Sequence, residues 1–180
     1  MPITLRKFSS KDFDRGRSRL WEFAWIVTKC LFFLTPFPVP SAWRCQFLRM
    51  FGATVGRRVV IRSRVNIWFP WRLAIADDVW IGEEVFILNL ASVTIEHDVC
   101  ISQRVFLCTG SHDFRREDFA LITKPIVIHE SSWIAAQAFV APGIEIGPRS
   151  VVSAGSVVLR NVPVDAHVRG NPAETYKTIE

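Results

Sequence analysis

The residues with the clearest chemical potential lie in one short stretch, Cys108-Thr109-Gly110-Ser111-His112-Asp113. A histidine exchanges its proton near neutral pH, so His112 could act as a general base, with a carboxylate beside it and small residues to admit a substrate. A single histidine in a loop is also a common surface residue, and we assign His97, His129 and His167 to the surface. We take His112 as the candidate catalytic residue.

A repeat of six residues must position this stretch. From Ile128 onward an aliphatic residue returns at every sixth position: Ile134, Val140, Ile146, Val152, Val158 and Val164. Small or branched residues stand two places ahead of these six: Ser132, Ala138, Ile144, Ser150, Ser156 and Val162. Neither a helix nor a simple strand has this period, whereas one strand and one turn repeated around a closed coil does. The spacing therefore predicts a parallel β-helix.

The same spacing occurs upstream in three shorter runs, separated by slips of two residues. They are Val55, Ile61 and Ile67, then Ile75, Ile81 and Ile87, then Ile95, Ile101 and Leu107. Between Leu107 and Ile128 the chain makes an excursion too long for a turn, which is typical of a functional or disordered loop. The predicted fold is all-β, with an N-terminal helical segment and one extruded loop that carries His112.

Two helices are predicted before the repeats. Residues 1–19 are rich in Arg and Lys and should have little intrinsic order. Leu20–Leu34 is predicted to form a helix that is apolar on nearly all sides. Ser41–Met50 is predicted to form a second helix, which ends before Gly52. The first is too short for a membrane span. We favour its burial against the β-helix or a neighbour, and the alternative is peripheral membrane contact through residues 6–34.

The predicted organisation is a basic arm with helices at 1–54, a β-helix domain at 55–168 and a tail at 169–180.

The formal net charge of +5 suits an anionic partner. Nucleic acid is disfavoured, because the aromatic residues fall on repeat positions and not among basic clusters. The four cysteines form no metal-binding pattern with the histidines, and no signal peptide opens the chain. Scattered thiols favour a cytoplasmic location, with contact at the inner membrane as the alternative.

These features together resemble the left-handed β-helix acyltransferases, most closely the colanic-acid-type O-acetyltransferases of bacterial exopolysaccharide synthesis. The resemblance covers roughly residues 49–173. Besides the repeat and the loop from Leu107 to Asp113, it rests on Trp133, Pro142-Gly143, Gly170-Asn171-Pro172-Ala173, Phe51-Gly52-Ala53, Phe69-Pro70-Trp71, Asn89-Leu90 and Ile101-Ser102-Gln103.

The resemblance implies a triangular prism, acetyl-CoA as the donor and a sugar hydroxyl as the acceptor. His112 would remove the hydroxyl proton, without a covalent enzyme intermediate and without a metal. Asn89 and Asp113 would lie on the side of the acceptor, which is a small or lipid-linked sugar. The implied acetyl-CoA contacts are Ala136, Ala154 and Gly155, with Leu159 and Arg160 beside the adenosine end, where Arg160 can pair with a phosphate.

The residue before each inward aliphatic should point outward. Three repeats make one coil in this family, so every third repeat shares a face. One face collects Phe86, Phe106, Phe139 and Val157, a second Trp80, Cys100, Trp133 and Val151, and a third Ala74, Thr94, Val127, Glu145 and Pro163. Two adjacent apolar faces would be a large exposed patch on a monomer, so a homotrimer joined through the first two faces is predicted.

Three other functions stay open. A sugar N-acyltransferase acting on a nucleotide sugar would have a similar donor site. A zinc carbonic-anhydrase-like β-helix would need three histidine ligands from His97, His112 and His129, which lack the usual spacing. A non-catalytic scaffold would use the repeat alone. The sugar, its hydroxyl and the length of the acyl group cannot be read from the sequence.

Overall fold

The structure is a computed structural model that describes residues 3–10 and 13–178. Residues 1, 2, 11, 12, 179 and 180, which belong to the predicted arm and tail, lie outside the described residues. The described chain is a parallel β-helix with two helices near its N-terminus, as the repeat predicted. Five coils each give one short strand to each of three sheets, and a partial sixth coil follows.

The three sheets form the sides of the solenoid. Sheet A contains β1 (Thr54–Val55), β4 (Leu73–Ile75), β7 (Val93–Ile95), β12 (Ile126–Ile128) and β15 (Glu145–Ile146). Sheet B contains β2 (Val60–Ile61), β5 (Trp80–Ile81), β8 (Cys100–Ile101), β13 (Trp133–Ile134), β16 (Val151–Val152), β18 (Ala166–Gly170) and β19 (Ala173–Thr178). Sheet C contains β3 (Asn66–Ile67), β6 (Phe86–Leu88), β9 (Phe106–Cys108), β14 (Phe139–Val140) and β17 (Val157–Val158).

The core is the column of inward aliphatic residues that the six-residue spacing predicted. From Ile61 to Val158 every one of them is buried. The small or branched residues two positions ahead are buried as well, and three of them are serines. The hydroxyls of Ser132 and Ser150 donate to the carbonyls of Gly147 and Pro163 at 2.9 and 2.7 Å, and that of Ser156 accepts from the Gly170 N–H at 3.2 Å. Small side chains at these positions fit at the bends between sheets, and the serine hydroxyls there are hydrogen-bonded although they are buried.

The last coil departs from the predicted phase. Val162 bridges to Ile146 and is buried, so that the inward position comes four residues after Val158 and not six. Val164, predicted to point inward, is 50% exposed, and Pro163 therefore does not occupy the outward position expected on the third face. Residues 169–178 of the predicted tail continue sheet B through β18 and the antiparallel strand β19.

This shift gives a matched pair of substitutions. We expect Val162→Ala to lower the free energy of unfolding by about 1–3 kcal/mol, because it removes buried methyl groups and leaves a cavity. Val164→Ala should change it by less than about 0.5 kcal/mol. Urea unfolding of both variants measures the difference, and equal losses would contradict the shifted register.

Two helices cover the N-terminal end of the β-helix, where the first coil has no coil below it. They are α1 (Arg19–Phe32), which begins after the capping hydroxyl of Ser18, and α2 (Ser41–Met50). Trp25 of α1 is fully buried and donates from Nε1 to the Ile67 carbonyl at 3.0 Å. The Ser41 hydroxyl accepts from the Ile61 N–H at 2.8 Å, so both helices satisfy backbone groups of that coil.

Burial of the first helix against the β-helix of its own chain is limited, whereas burial against a neighbouring chain stays a prediction. Trp25 is its only fully buried residue. Leu20, Phe23 and Leu31 are 78%, 63% and 60% exposed. No helix among the described residues is long and apolar enough to cross a membrane.

Candidate active site

The loop that carries His112 leaves the β-helix at the corner between sheets C and A. The side chain of Thr109 anchors its root: the hydroxyl donates to the Leu88 carbonyl at 2.8 Å and accepts from the Ala91 N–H at 2.9 Å. Gly110 follows because a Cβ there would lie 2.7 Å from Cδ1 of Leu90. The chain then forms an antiparallel ribbon of β10 (Gly110–His112) and β11 (Leu121–Thr123), in which His112 pairs with Leu121.

The imidazole of His112 is held in one tautomer. Its Nδ1 lies 2.8 Å from the carbonyl oxygen of Phe119. A carbonyl can only accept a hydrogen bond, so Nδ1 must carry the proton, and the lone pair of the neutral ring is then on Nε2. No group of the described residues hydrogen-bonds Nε2, and the side chain is only partly buried. This nitrogen is placed to accept a proton from a substrate.

Asp113, next to His112 in the sequence, hydrogen-bonds the backbone of its own loop. Its carboxylate accepts from the Arg115 N–H at 3.0 Å, and its N–H donates to the Ala120 carbonyl at 2.9 Å. Both contacts shape the loop, whereas the orientation of His112 comes from Phe119. A backbone carbonyl seven residues away leaves no signal in the side-chain pattern, so sequence reasoning missed it. The acceptor role of Asp113 stays a prediction.

Asn89 is fully buried beneath this corner. Its Oδ1 accepts from the N–H groups of Trp68 and Phe69 at 3.2 and 3.0 Å, and its Nδ2 donates to the Phe69 carbonyl at 2.6 Å. The side chain therefore fixes the turn that precedes the short 3-10 helix Pro70–Arg72. With these contacts in place, Asn89 can support an acceptor through that turn.

The predicted acetyl-CoA contacts fall into two groups. Ala136, Ala154 and Gly155 lie together at the corner between sheets B and C, where the Gly155 N–H donates to the Ala136 carbonyl at 2.9 Å. The space around Gly155 is open. Leu159 and Arg160 are exposed and follow β17, at the same corner as the His112 loop. Within one chain, sheet C separates the two groups.

Cys108 is the nearest thiol to this loop. It is buried, its Sγ donates to the Gly110 carbonyl at 3.1 Å, and burial raises the pKa of the thiol. A thiol that stays protonated is a poor nucleophile, so an acyl-cysteine intermediate is disfavoured here.

The three histidines needed for a zinc anhydrase do not converge. His97 pairs with Asp98 at 2.9 Å and His129 with Glu96 at 3.2 Å, both at the corner between sheets A and B. His112 lies at the other end of sheet A. Within the described chain, this arrangement does not provide the three-histidine site that such an enzyme requires.

Comparisons with known proteins agree with the repeat fold. Residues 125–160 match the family model described as "Bacterial transferase hexapeptide (six repeats)". The chain is 42% identical over 163 residues to the colanic acid biosynthesis acetyltransferase WcaF of Escherichia coli K12, covering 91% of this chain and 89% of that one. It is 27% identical over 139 residues to the galactoside O-acetyltransferase of the same strain, covering 76% and 68%. A hexapeptide-repeat acetyltransferase of Vibrio cholerae, crystallised with acetyl-CoA, superposes with a TM-score of 0.82 at 27% identity, covering 97% of each chain.

Proposed function

The chain belongs to the hexapeptide-repeat transferase family, and from that premise we propose an acetyl-CoA-dependent O-acetyltransferase that modifies a sugar hydroxyl in exopolysaccharide or related glycan biosynthesis. The observation that carries the proposal is the geometry of His112. Its Nδ1 proton faces the Phe119 carbonyl, which leaves Nε2 as the proton acceptor at the root of an open loop.

In the proposed transfer, His112 acts as the base and the Phe119 carbonyl supports it. Acetyl-CoA supplies the acetyl group as a thioester. Nε2 of His112 takes the proton of the sugar hydroxyl while the hydroxyl oxygen bonds to the acyl carbon and the carbon–sulfur bond breaks. The proton on Nε2 then passes to the departing sulfur, so the products are a sugar acetate and the CoA thiol. The Phe119 carbonyl favours the positive charge that the ring carries between these steps.

The donor groove would lie between two subunits of a homotrimer. Its two groups of predicted contacts flank sheet C, one of the two sheets predicted to form the subunit interface, so a donor that contacts both groups would lie beside that interface. The proposed threefold ring brings sheet C of one subunit beside sheet B of the next. The donor would then bind along this boundary, with Arg160 beside its phosphates.

Peripheral membrane contact through residues 6–34 is the second part of the proposal, for a cytoplasmic protein at the inner face of the membrane. Besides the exposed apolar residues of α1, Phe37, Trp43 and Met50 of the same N-terminal segment are exposed. Exposed Arg17, Arg19 and Arg49 lie in the same N-terminal segment. A large apolar patch with cations suits a surface of anionic lipid, where lipid-linked sugars are also found.

We expect the protein to float with vesicles containing anionic lipid, and the triple variant Leu20→Gln, Phe23→Gln and Leu31→Gln to remain at the bottom of the gradient. The reason is that these side chains are exposed, so their loss removes lipid contact without a change in the core. The matched control is Val164→Gln, which alters an exposed apolar residue elsewhere. Failure of the unaltered protein to float would refute membrane contact.

A screen of acceptor sugars with acetyl-CoA tests the enzymatic proposal. We expect release of the CoA thiol only when a sugar with a free hydroxyl is present, and a product whose acetyl group is removed by mild alkali. An alkali-stable product formed from an amino sugar would favour the N-acyltransferase instead.

A further inference from the structure

The imidazole of His112 is enclosed by two phenyl rings from distant parts of the chain. Phe119 stacks on it with ring centres 4.3 Å apart and an interplanar angle of 3°. Phe8 approaches its edge at 5.4 Å and 66°. With Nδ1 bonded to the Phe119 carbonyl, the ring is restricted in its plane, in its tilt and in its tautomer.

The backbone at Phe119 is unusual. Its φ is +49°, a left-handed conformation that bulky side chains seldom adopt. The other non-glycine residues with positive φ lie in the turns between repeat strands, and Phe119 lies in the extruded loop. Strain of this kind persists only where the surroundings impose it, and it is concentrated at functional sites. In this conformation both the carbonyl and the ring of Phe119 contact His112.

The loop itself imposes that conformation. The Phe119 N–H donates to the Arg116 carbonyl at 3.1 Å, and Arg116 forms an ion pair with Asp118 at 2.7 Å. These contacts close a compact turn between the two strands of the ribbon. The turn fixes the position of Phe119 without help from the β-helix.

The N-terminal arm supplies the second ring. The Thr4 N–H donates to the Glu117 carbonyl at 2.9 Å, and Nζ of Lys7 lies 2.6 Å from the Glu117 carboxylate. A 3-10 helix, Leu5–Lys7, connects these contacts to Phe8. The arm, predicted to have little intrinsic order, is thus docked on the turn that carries Phe119, and Leu5 beside it remains exposed.

We propose that Phe119 and Phe8 are positioning residues for His112, so that the N-terminal arm is part of the active site. The inference rests on the proposed role of His112 as the base. It assigns to the arm the task of keeping Nε2 aligned with the acceptor hydroxyl. Small displacements of a catalytic group are costly, since a shift of about 1 Å can reduce the rate roughly 100-fold.

The test uses Phe119→Gly, which keeps the left-handed backbone accessible, together with Phe8→Ala and the conservative Phe8→Trp. We expect the first two to lower kcat roughly 10–100-fold while the KM for acetyl-CoA stays within about twofold, and Phe8→Trp to restore most of kcat. The control is Phe114→Ala, an exposed phenylalanine of the same loop, which should leave both constants unchanged.

A spectroscopic measurement separates positioning from general loss of structure. The chain has four histidines, so ¹⁵N labelling of histidine with His112→Ala as the assignment reference gives the tautomer of His112 directly. We expect the Nδ1-protonated form in the unaltered protein and a mixture of tautomers in Phe119→Gly, because a glycine without the stacked ring no longer holds its carbonyl against Nδ1. An unchanged tautomer together with an unchanged kcat would overturn the inference.

This readout does not depend on turnover. If the protein transferred no acetyl group but Phe119→Gly still altered the tautomer, the proposed function would fail and the positioning would stand. If His112→Ala abolished transfer while Phe119→Gly and Phe8→Ala did nothing, the proposed function would stand and the positioning would fail.

Discussion

Replacement of His112 by alanine should lower kcat for acetyl transfer by roughly 10²–10⁴-fold, the usual contribution of a positioned general base. Without Nε2, the proposed mechanism has no base to take the hydroxyl proton. Binding of acetyl-CoA should be little changed, because its predicted contacts lie at the corners of the β-helix. Steady-state kinetics and a direct binding measurement on the same preparation give both quantities.

The matched control is His97→Ala, which removes an exposed imidazole paired with Asp98 at another corner. It should retain the activity of the unaltered protein. If His112→Ala stayed within threefold of that activity, His112 would have no part in the proton transfer. If it lost acetyl-CoA binding and rate together, a structural role at the donor groove would be the better explanation.

The second large effect concerns assembly. The unaltered protein should have three times the chain mass of 20.5 kDa in light scattering, and Trp80→Glu should be a monomer without activity. Trp80 is 62% exposed on sheet B, next to a concavity of about 490 Å³ lined in part by Cys100 and Gln103. A carboxylate buried there between subunits would lose its hydration without a partner.

Activity should disappear with the trimer because the proposed donor groove lies between two subunits. Phe37→Glu is the control, since Phe37 is 72% exposed, lies between the two N-terminal helices and belongs to no strand of sheets B or C. It should stay trimeric and active. A monomeric Trp80→Glu with full activity would refute the shared site, and a monomeric, active unaltered protein would refute the trimer as well.

The β-helix was predictable because each repeat encodes its own inward residue. Ile87 and Ile101 are buried for the same local reason, namely that a six-residue unit buries its aliphatic side chain by stacking on its neighbours. Val164 was misplaced because the last turn is shorter than the repeat. In a stretch that contains several valines, the sequence does not show which of them points inward. The candidate role of His112 was suggested by its residue type and by the interrupted repeat.

The surroundings of His112 could not be predicted in the same way. Phe119 acts through a backbone carbonyl and a strained φ, neither of which is encoded by a spacing rule. Phe8 reaches the imidazole only because Glu117 pairs with an arm more than a hundred residues away in the sequence. The exposure of α1 was likewise hidden, because an apolar helix looks the same in sequence whether a core, a neighbour or a lipid surface covers it.

Direct transfer of an acetyl group from acetyl-CoA to a sugar hydroxyl can be followed in a single reaction. The quantities to measure are the thiol released, the sugar acetate formed and the intact mass of the protein. We predict equal amounts of thiol and sugar acetate, no thiol release without the sugar, and a protein mass that never includes an acetyl group. Thiol release without an acceptor, accompanied by an acetylated protein, would contradict it.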